Sequence, residues 1–299
     1  MDLIINLHKP SGITSQQAVT RVKKILNVRK AGHTGTLDPL ATGVMLVCLG
    51  EATKVSRFFL DMDKRYRAMV KLGERTDTGD AEGRVIETAD CSSLTKAEII
   101  DAARSFKGSI EQTPPMYSAI KVGGKALYTL ARKGIEIERK SRAVTIYDIE
   151  VTGINLPFFE LVVLCSKGTY IRTLCEDIGR KLGPGAHLTA LERLSVGSFA
   201  LENALTFEDL AMRGLVPDGR SVFTIDHALS AMPGICLDEE ESRRVRHGQR
   251  IPKNVRDQGD DQVMKLKGSD GELIGIGSIN SGMLIVERIL NLQPDSIKT

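Results

Sequence analysis

Residues 32–50 constrain this chain more than any other stretch. They read Gly32-His33-Thr34-Gly35-Thr36-Leu37-Asp38-Pro39-Leu40-Ala41-Thr42-Gly43, then the apolar run Val44-Met45-Leu46-Val47-Cys48-Leu49, then Gly50. A short apolar run closed off by glycines reads as a strand buried on both faces, which demands a layer on either side of it. Ahead of that strand, three glycines frame one carboxylate, Asp38. Glycine admits positive φ and lets a ligand come close. Proline after Asp38 pushes the acid out of the α region and onto an extended loop. An acid on a tight loop pinned to a buried strand is well placed for chemistry. Asp-Pro is also a common turn pair, so the residues alone leave open an acid that only turns the chain. A phosphate-cradling nucleotide loop is disfavoured, because the Lys-Ser/Thr ending of that motif is missing.

The 299 residues suffice for one large or two ordinary domains, and 41% hydrophobic with 26% charged content fits a soluble globular chain. No apolar run approaches the ~20 residues that span a bilayer, so no membrane association is expected. Residues 1–6 lack a basic leader and a long apolar core, which argues against a secretory signal. The cysteines at 48, 91, 165, 175 and 236 are odd in number and never at Cys-x-x-Cys spacing, which disfavours disulfides and zinc and points to the cytoplasm. Net charge is only +3, but residues 1–72 hold twelve Lys/Arg against five Asp/Glu, a local balance of +7. Such a concentration around the Asp38 loop suits a polyanion, although a merely solvated basic face has the same charge.

Along the chain, residues 3–7 read as a strand, and Thr14-x-x-Gln17 is a capping box opening a helix with Val19, Val22, Ile25 and Leu26 on one stripe. Residues 51–60 read as a helix. From 63 to 72 the pattern alternates, with Tyr66, Ala68, Val70 and Leu72 on one face and Arg65, Arg67 and Lys71 on the other. Tyr66 is then either a core tyrosine or a platform on which a base stacks. Residues 76–83 tempt toward a calcium loop, but aligning Gly83 with the invariant glycine leaves Thr78 and Ala89 where acids are needed, so a hairpin loop without metal is expected. Thr95-x-x-Glu98 opens a second helix, closed by Gly108. Residues 109–142, broken by Pro114-Pro115 and Gly123-Gly124, read as an insertion with a short helix over 125–132. Strands are expected over 144–151 and 159–165, then a helix carrying Ile171, Leu174, Ile178 and Leu182 and stopped by Gly183. Arg172 falls in that helix's first turn, where the dipole disfavours a cation, which points to a specific acidic partner. Residues 207–213 read as a helix, 214–219 as a loop, and Met232-Pro233-Gly234 as a boundary. Beyond it come a short charged helix (238–246) and strand-like runs at 262–266, 273–279 and 283–289, a β-barrel-like pattern.

The motif Gly32 to Gly43 resembles, without a gap, the catalytic motif of the TruB family of bacterial tRNA pseudouridine-55 synthases. His8-Lys9-Pro10-Ser11-Gly12-Ile13-Thr14-Ser15 resembles the family's opening motif. Lys64-Arg65-Tyr66-Arg67 followed by residues 72–80 resembles its second, Cys165 to Arg172 its third, and residues 185–197 its fourth. Glu192 stands where members usually carry the first of two basic residues, and Arg193 supplies the second.

The resemblance implies an α+β fold: a mixed, largely antiparallel sheet with flanking helices over residues 1–232, its 109–142 insertion gripping RNA, and a small PUA-like RNA-binding module over 233–299. It implies an isomerase that turns uridine-55 of the tRNA T-arm loop into pseudouridine after flipping the base out. Asp38 would be the nucleophile, at C6 of the base or C1′ of the ribose, and Arg172 would keep it ionised. Tyr66 would stack on the uracil and help remove the C5 proton. Tyr170 and Leu191 would line the pocket, and His33 would hold the flipped loop. Neither metal nor cofactor is implied, the partner is the tRNA T-arm stem-loop, and a monomer is expected. A non-catalytic RNA binder and a hydrolase pairing Asp38 with Asp77 or Asp80 are the competing classes. A chain ending near Met232 is expected to keep turnover with a raised KM.

Overall fold

The computed structural model describes residues 1–118, 121–131, 134–213, 215–253 and 262–292. The chain opens with β1 (Leu3–Lys9) and α1 (Ser15–Leu26), whose Thr14–Gln17 capping box forms as expected. A short β2 (Ala31–His33) leads through the Asp38 loop into β3 (Thr42–Leu49). The stretch read as one helix over 51–60 is instead a 3-10 turn (Gly50–Val55) followed by α2 (Ser56–Leu60). Thr53 and Ser56 return their hydroxyls to the carbonyls three residues back, at 2.7 and 3.0 Å, and so compete with the α pattern. Next come β4 (Lys64–Leu72), the hairpin β5 (Glu74–Thr76) and β6 (Val85–Thr88), α3 (Lys96–Arg104) behind its Thr95–Glu98 capping box, and β7 (Gly108–Gln112).

Residues 109–112 belong to β7 and Arg142 opens β10 (Arg142–Asn155), so the excursion from the sheet runs 113–141. It contains β8 (Lys121–Val122) and β9 (Lys125–Ala126), paired across Gly123-Gly124, then α4 (Leu127–Ala131). The expected helix end at Arg132 and the first loop residue, Gly214, lie outside the described residues. There follow β11 (Phe158–Cys165), α5 (Ile171–Leu182), β12 (Ala186–Val196), β13 (Phe199–Ala200), α6 (Phe207–Arg213), β14 (Val222–Thr224) and α7 (Ile225–Ala228). The C-terminal part holds β15 (Gly234–Cys236), α8 (Glu239–Arg246), β16 (Ile251–Pro252), β17 (Val263–Lys267), β18 (Leu273–Asn280) and β19 (Met283–Ile289).

The main sheet runs β14-β1-β3-β12-β4-β11-β10-β7, with β2 on β3 and β13 on β12, ten strands in all. Every ladder in it is antiparallel except the two-residue contact of β3 with β12, at Thr42–Glu192 and Gly43–Arg193. β3 serves two cores by alternation. Met45, Val47 and Leu49 face a core covered by α1, α3 and α5, while Val44, Leu46 and Cys48 face a second one. That second core is completed by Leu273, Ile276 and Leu290. The C-terminal half-barrel (β15-β17-β18-β19-β16) is therefore packed against the main sheet, with a smaller core of its own around Leu237, Val245, Met264 and Leu284. The fold is α+β, and its largely antiparallel sheet and C-terminal β module agree with the expectation.

β12, at the centre of the sheet, has no counterpart among the strands expected from the sequence. Register shifts between Leu188 and Ala190 and between Arg193 and Ser195 break its period-two alternation, which is the signal a sequence offers.

Candidate active site

Asp38 sits where the segment between β1 and α1 grips the loop between β2 and β3. The Ala41 N–H donates to the Asp38 carbonyl at 3.1 Å, closing a turn with Pro39 at its second position. Ser15 clamps Leu37 twice, accepting from its N–H at 2.8 Å and donating to its carbonyl at 3.0 Å. Ser11 donates to the Leu40 carbonyl at 3.0 Å, and the Gly12 N–H to that of Pro39 at 2.9 Å. Buried Lys9 donates its Nζ to the carbonyls of Pro10, Pro39 and Ala41 at 2.8, 3.3 and 2.7 Å. Burial lowers the Lys9 pKa to about 8, with the Asp38 charge opposing the shift. The opening motif is thus the clamp of the loop that carries Asp38.

Opposite Asp38 stands Arg172, in the first turn of α5. Its Nε lies 2.9 Å from Asp38 Oδ2, and its Nη2 donates to Oδ1 at 3.4 Å. The guanidinium also approaches Asp80 Oδ2 at 3.3 Å and donates to the carbonyls of Thr78 (3.1 Å) and Tyr117 (2.6 Å). The acidic partner expected for Arg172 is therefore a pair. The Arg172 and Asp80 side chains are each 4% exposed, whereas that of Asp38 is 32% exposed, so Asp38 alone of the three is open to a substrate. Burial raises the Asp38 carboxyl above the ordinary aspartate range. The Arg172 charge pulls it back, Asp80 adds to the rise, and the Arg172 hydrogen bond and Lys9 oppose it. This is the tuning expected of a carboxylate that must stay ionised in a desolvated pocket.

Tyr66 lies on β4 between Val163 of β11 and Arg193 of β12. It is buried, and burial raises its pKa while the Arg193 charge and hydrogen bond pull it down, so the free site holds a neutral phenol. Leu191, also buried, pairs with Ala68 one strand over. Tyr170 caps α5: its N–H donates to Gln112 Oε1 at 3.0 Å, Gln112 Nε2 returns to its carbonyl at 3.2 Å, and Arg142 covers its ring at 5.0 Å. His33, on β2, is half-buried with Nδ1 unpartnered, and burial together with Arg193 keeps its pKa below the ordinary value. Strands β2, β4 and β12, the Asp38 loop and the head of α5 thus converge on one site.

Three contributors went unforeseen in their roles. Lys9 stands in the sequence only as a member of the opening motif, with no role of its own. Asp80 was weighed only as a hydrolytic partner of Asp38, yet both its oxygens are engaged: Oδ1 accepts from Thr78 Oγ1 at 2.6 Å and from the Glu82 N–H at 3.1 Å, and Oδ2 faces Arg172. Arg193 fills the floor of the site with 1% exposure, and so faces inward rather than toward a phosphate, while Glu192 beside it pairs with Arg67 at 2.9 Å. The only signal was a basic residue inside a motif.

The TruB family pseudouridylate synthase (N terminal domain) profile matches residues 23–171. The tRNA pseudouridylate synthase B C-terminal domain matches 172–220, and the Pseudouridine synthase II TruB, C-terminal profile 233–290. A tRNA pseudouridine synthase B of Clostridium tetani is 48% identical over 84% of this chain and 86% of its own. That of Chromohalobacter salexigens is 43% identical over 97% of this chain and 95% of its own. Among solved structures, a Cbf5-Nop10-Gar1 complex aligns with TM-score 0.73 and 28% identity over 96% of this chain and 84% of that one. An H/ACA RNP bound to a substrate RNA containing 2′-deoxyuridine aligns with TM-score 0.71 and 26% identity, over the same shares. With its Asp38–Arg172 pair and near-complete coverage by such relatives, the chain belongs to the TruB family of pseudouridylate synthases.

Proposed function

We propose that the chain isomerises uridine-55 in the T-arm loop of tRNA to pseudouridine, with Asp38 as the nucleophile. The observation that carries this reading is a carboxylate open to the pocket and held by a guanidinium that is itself buried. In the reaction the N1–C1′ bond breaks, the C5–C1′ bond forms, and the proton lost from C5 is balanced by one gained at N1, so neither redox change nor cofactor is required. The target base is flipped out of the folded loop to reach Asp38, which forms and later releases a covalent adduct. Tyr66 stacks beneath the uracil, Tyr170 and Leu191 border it, and His33 holds the loop open. The excursion over 113–141 and the C-terminal module grip the RNA, and the enzyme works as a monomer.

The engagement of Asp80 disfavours the hydrolytic reading that pairs it with Asp38, because its oxygens are held by Thr78, the Glu82 N–H and Arg172 rather than free to activate a water against the sugar. The test is tritium release from tRNA carrying 5-tritiated uridine, with a parallel search for free uracil. Release with the base retained in the RNA supports isomerisation. Free uracil indicates hydrolysis, and no release with tight binding indicates a non-catalytic RNA binder.

A further inference from the structure

Among the described residues the Arg193 guanidinium has no counter-ion, although it is one of the largest fully buried side chains. Burying an arginine is costly, and an apolar side chain of similar volume often stabilises a fold as well or better. Its value must lie in what it holds. Its Nε donates to the Val44 carbonyl at 2.6 Å and its Nη2 to the Gly35 carbonyl at 3.2 Å. Those two carbonyls bracket the loop that carries Asp38, so one side chain fixes both of its ends.

The backbone around Arg193 is equally committed. Gly43 has φ +101°, and a Cβ there would stand 2.3 Å from the Arg193 carbonyl oxygen. Across the other edge of β12, Arg193 is in register with Tyr66, and its charge favours the ionised form of the Tyr66 hydroxyl against burial. Asp38, on the loop between β2 and β3, and Tyr66, on β4, share no direct bond. Arg193 is the group that touches both supports.

Resting on the isomerase reading above, we propose that Arg193 is a positioning residue that locks the Asp38 loop and the Tyr66 hydroxyl into one register beneath the uracil. Arg193 makes no contact with RNA and leaves affinity alone. Its loss is felt in the chemical step, since small misplacements of reacting groups cost large factors in rate.

The experiment is single-turnover tritium release at saturating tRNA with Arg193→Lys, Arg193→Met, Tyr66→Phe and Arg193→Lys/Tyr66→Phe, alongside the tRNA Kd and circular dichroism. Arg193→Lys keeps the charge but loses the planar fork. The expected result is a rate lower by about tenfold or more for Arg193→Lys and by a larger factor for Arg193→Met, with Kd within about threefold of wild type. Because the two side chains act as a unit, the double variant falls below the slower single variant by less than the product of the two losses. A folded Arg193→Lys with wild-type rate, a loss confined to Kd, or losses that multiply independently would overturn the proposal. Should Arg193→Met fail to fold, the lysine cycle carries the test. A wild-type enzyme that releases no tritium would defeat the isomerase reading itself, which is a separate failure from an unaffected variant.

Discussion

Ending the chain at Met232 removes α8 and β15–β19, and the structure gives the size of the loss. Leu273, Ile276 and Leu290 are buried against the face of the main sheet that carries Val44, Leu46 and Phe223, over a cluster where Phe199 meets Phe59 at 5.9 Å and Phe223 at 4.9 Å between ring centres. Three fully buried aliphatic side chains at ~1.5–3 kcal/mol each amount to about 5–9 kcal/mol. The polar ties that go with them add little, since exposed pairs are worth about 0–1 kcal/mol each. They include Lys267 on Asp226 at 2.8 Å, Lys54 on the Ile289 carbonyl at 2.9 Å, and Arg57 with Glu287; the buried Lys265 on Asp226 at 2.9 Å adds to the loss. A domain's whole stability is roughly 5–15 kcal/mol, so the truncation consumes most of it. At ~2–4 °C per kcal/mol the melting temperature should fall by roughly 10–36 °C, read by circular dichroism on the truncated and full chains. Sequence alone suggests that such a chain keeps turnover and only binds more weakly. A truncated chain that melts within about 5 °C of the full one and differs only in KM would refute the shared-core argument.

Asp80→Asn keeps shape but removes one of two acids from Arg172, so the single-turnover rate should fall about 10- to 100-fold, the worth of one charge-assisted bond, with Kd unchanged; an unaltered rate refutes that role. Affinity for tRNA should fall linearly on a log–log salt plot, as the +7 balance of residues 1–72 requires, and a flat response would point away from phosphate contacts. Stability should rise with pH from 8 to about 9, then fall. Lys9 and Lys64, lowered by burial to about 8 from 10.5, shed protons in the folded state that the unfolded chain keeps, so the fold gains as pH rises through 8. The Cys48 and Cys165 thiols, pushed up by burial to about 12 from 9.0, and Cys175, raised likewise, act oppositely above 9 because the unfolded chain then loses protons first. A melting temperature that declines steadily from pH 8 would contradict this.

The parts legible in the sequence are those whose signal is local. A six-residue apolar run between glycines announced the doubly buried β3, capping boxes announced α1 and α3, and clean alternation announced β4 with Tyr66 facing inward. That Arg172 needs an acidic partner was legible because a cation in a helix's first turn needs a local reason, whereas the choice of Asp38 as that partner came from the family resemblance. What escaped is non-local. The strand that carries Arg193 is disguised by its two bulges. The grip of Lys9 on residues 39 and 41 spans thirty positions of chain, and nothing near Asp80 says that an arginine ninety residues away completes its contacts. The second core likewise joins residues near 50, 200, 223 and 276, which no window brings together.

The central claim rests on Asp38, and Asp38→Asn tests it most directly. The exchange is nearly isosteric and removes the negative charge that makes the side chain a nucleophile. Two numbers are read on the same folded sample: tritium release and the tRNA dissociation constant. The account predicts release abolished and binding retained or slightly tighter, since one carboxylate facing a polyanion is gone. Release within about tenfold of wild type, equivalent to only ~1.4 kcal/mol of barrier, would contradict Asp38 as the nucleophile.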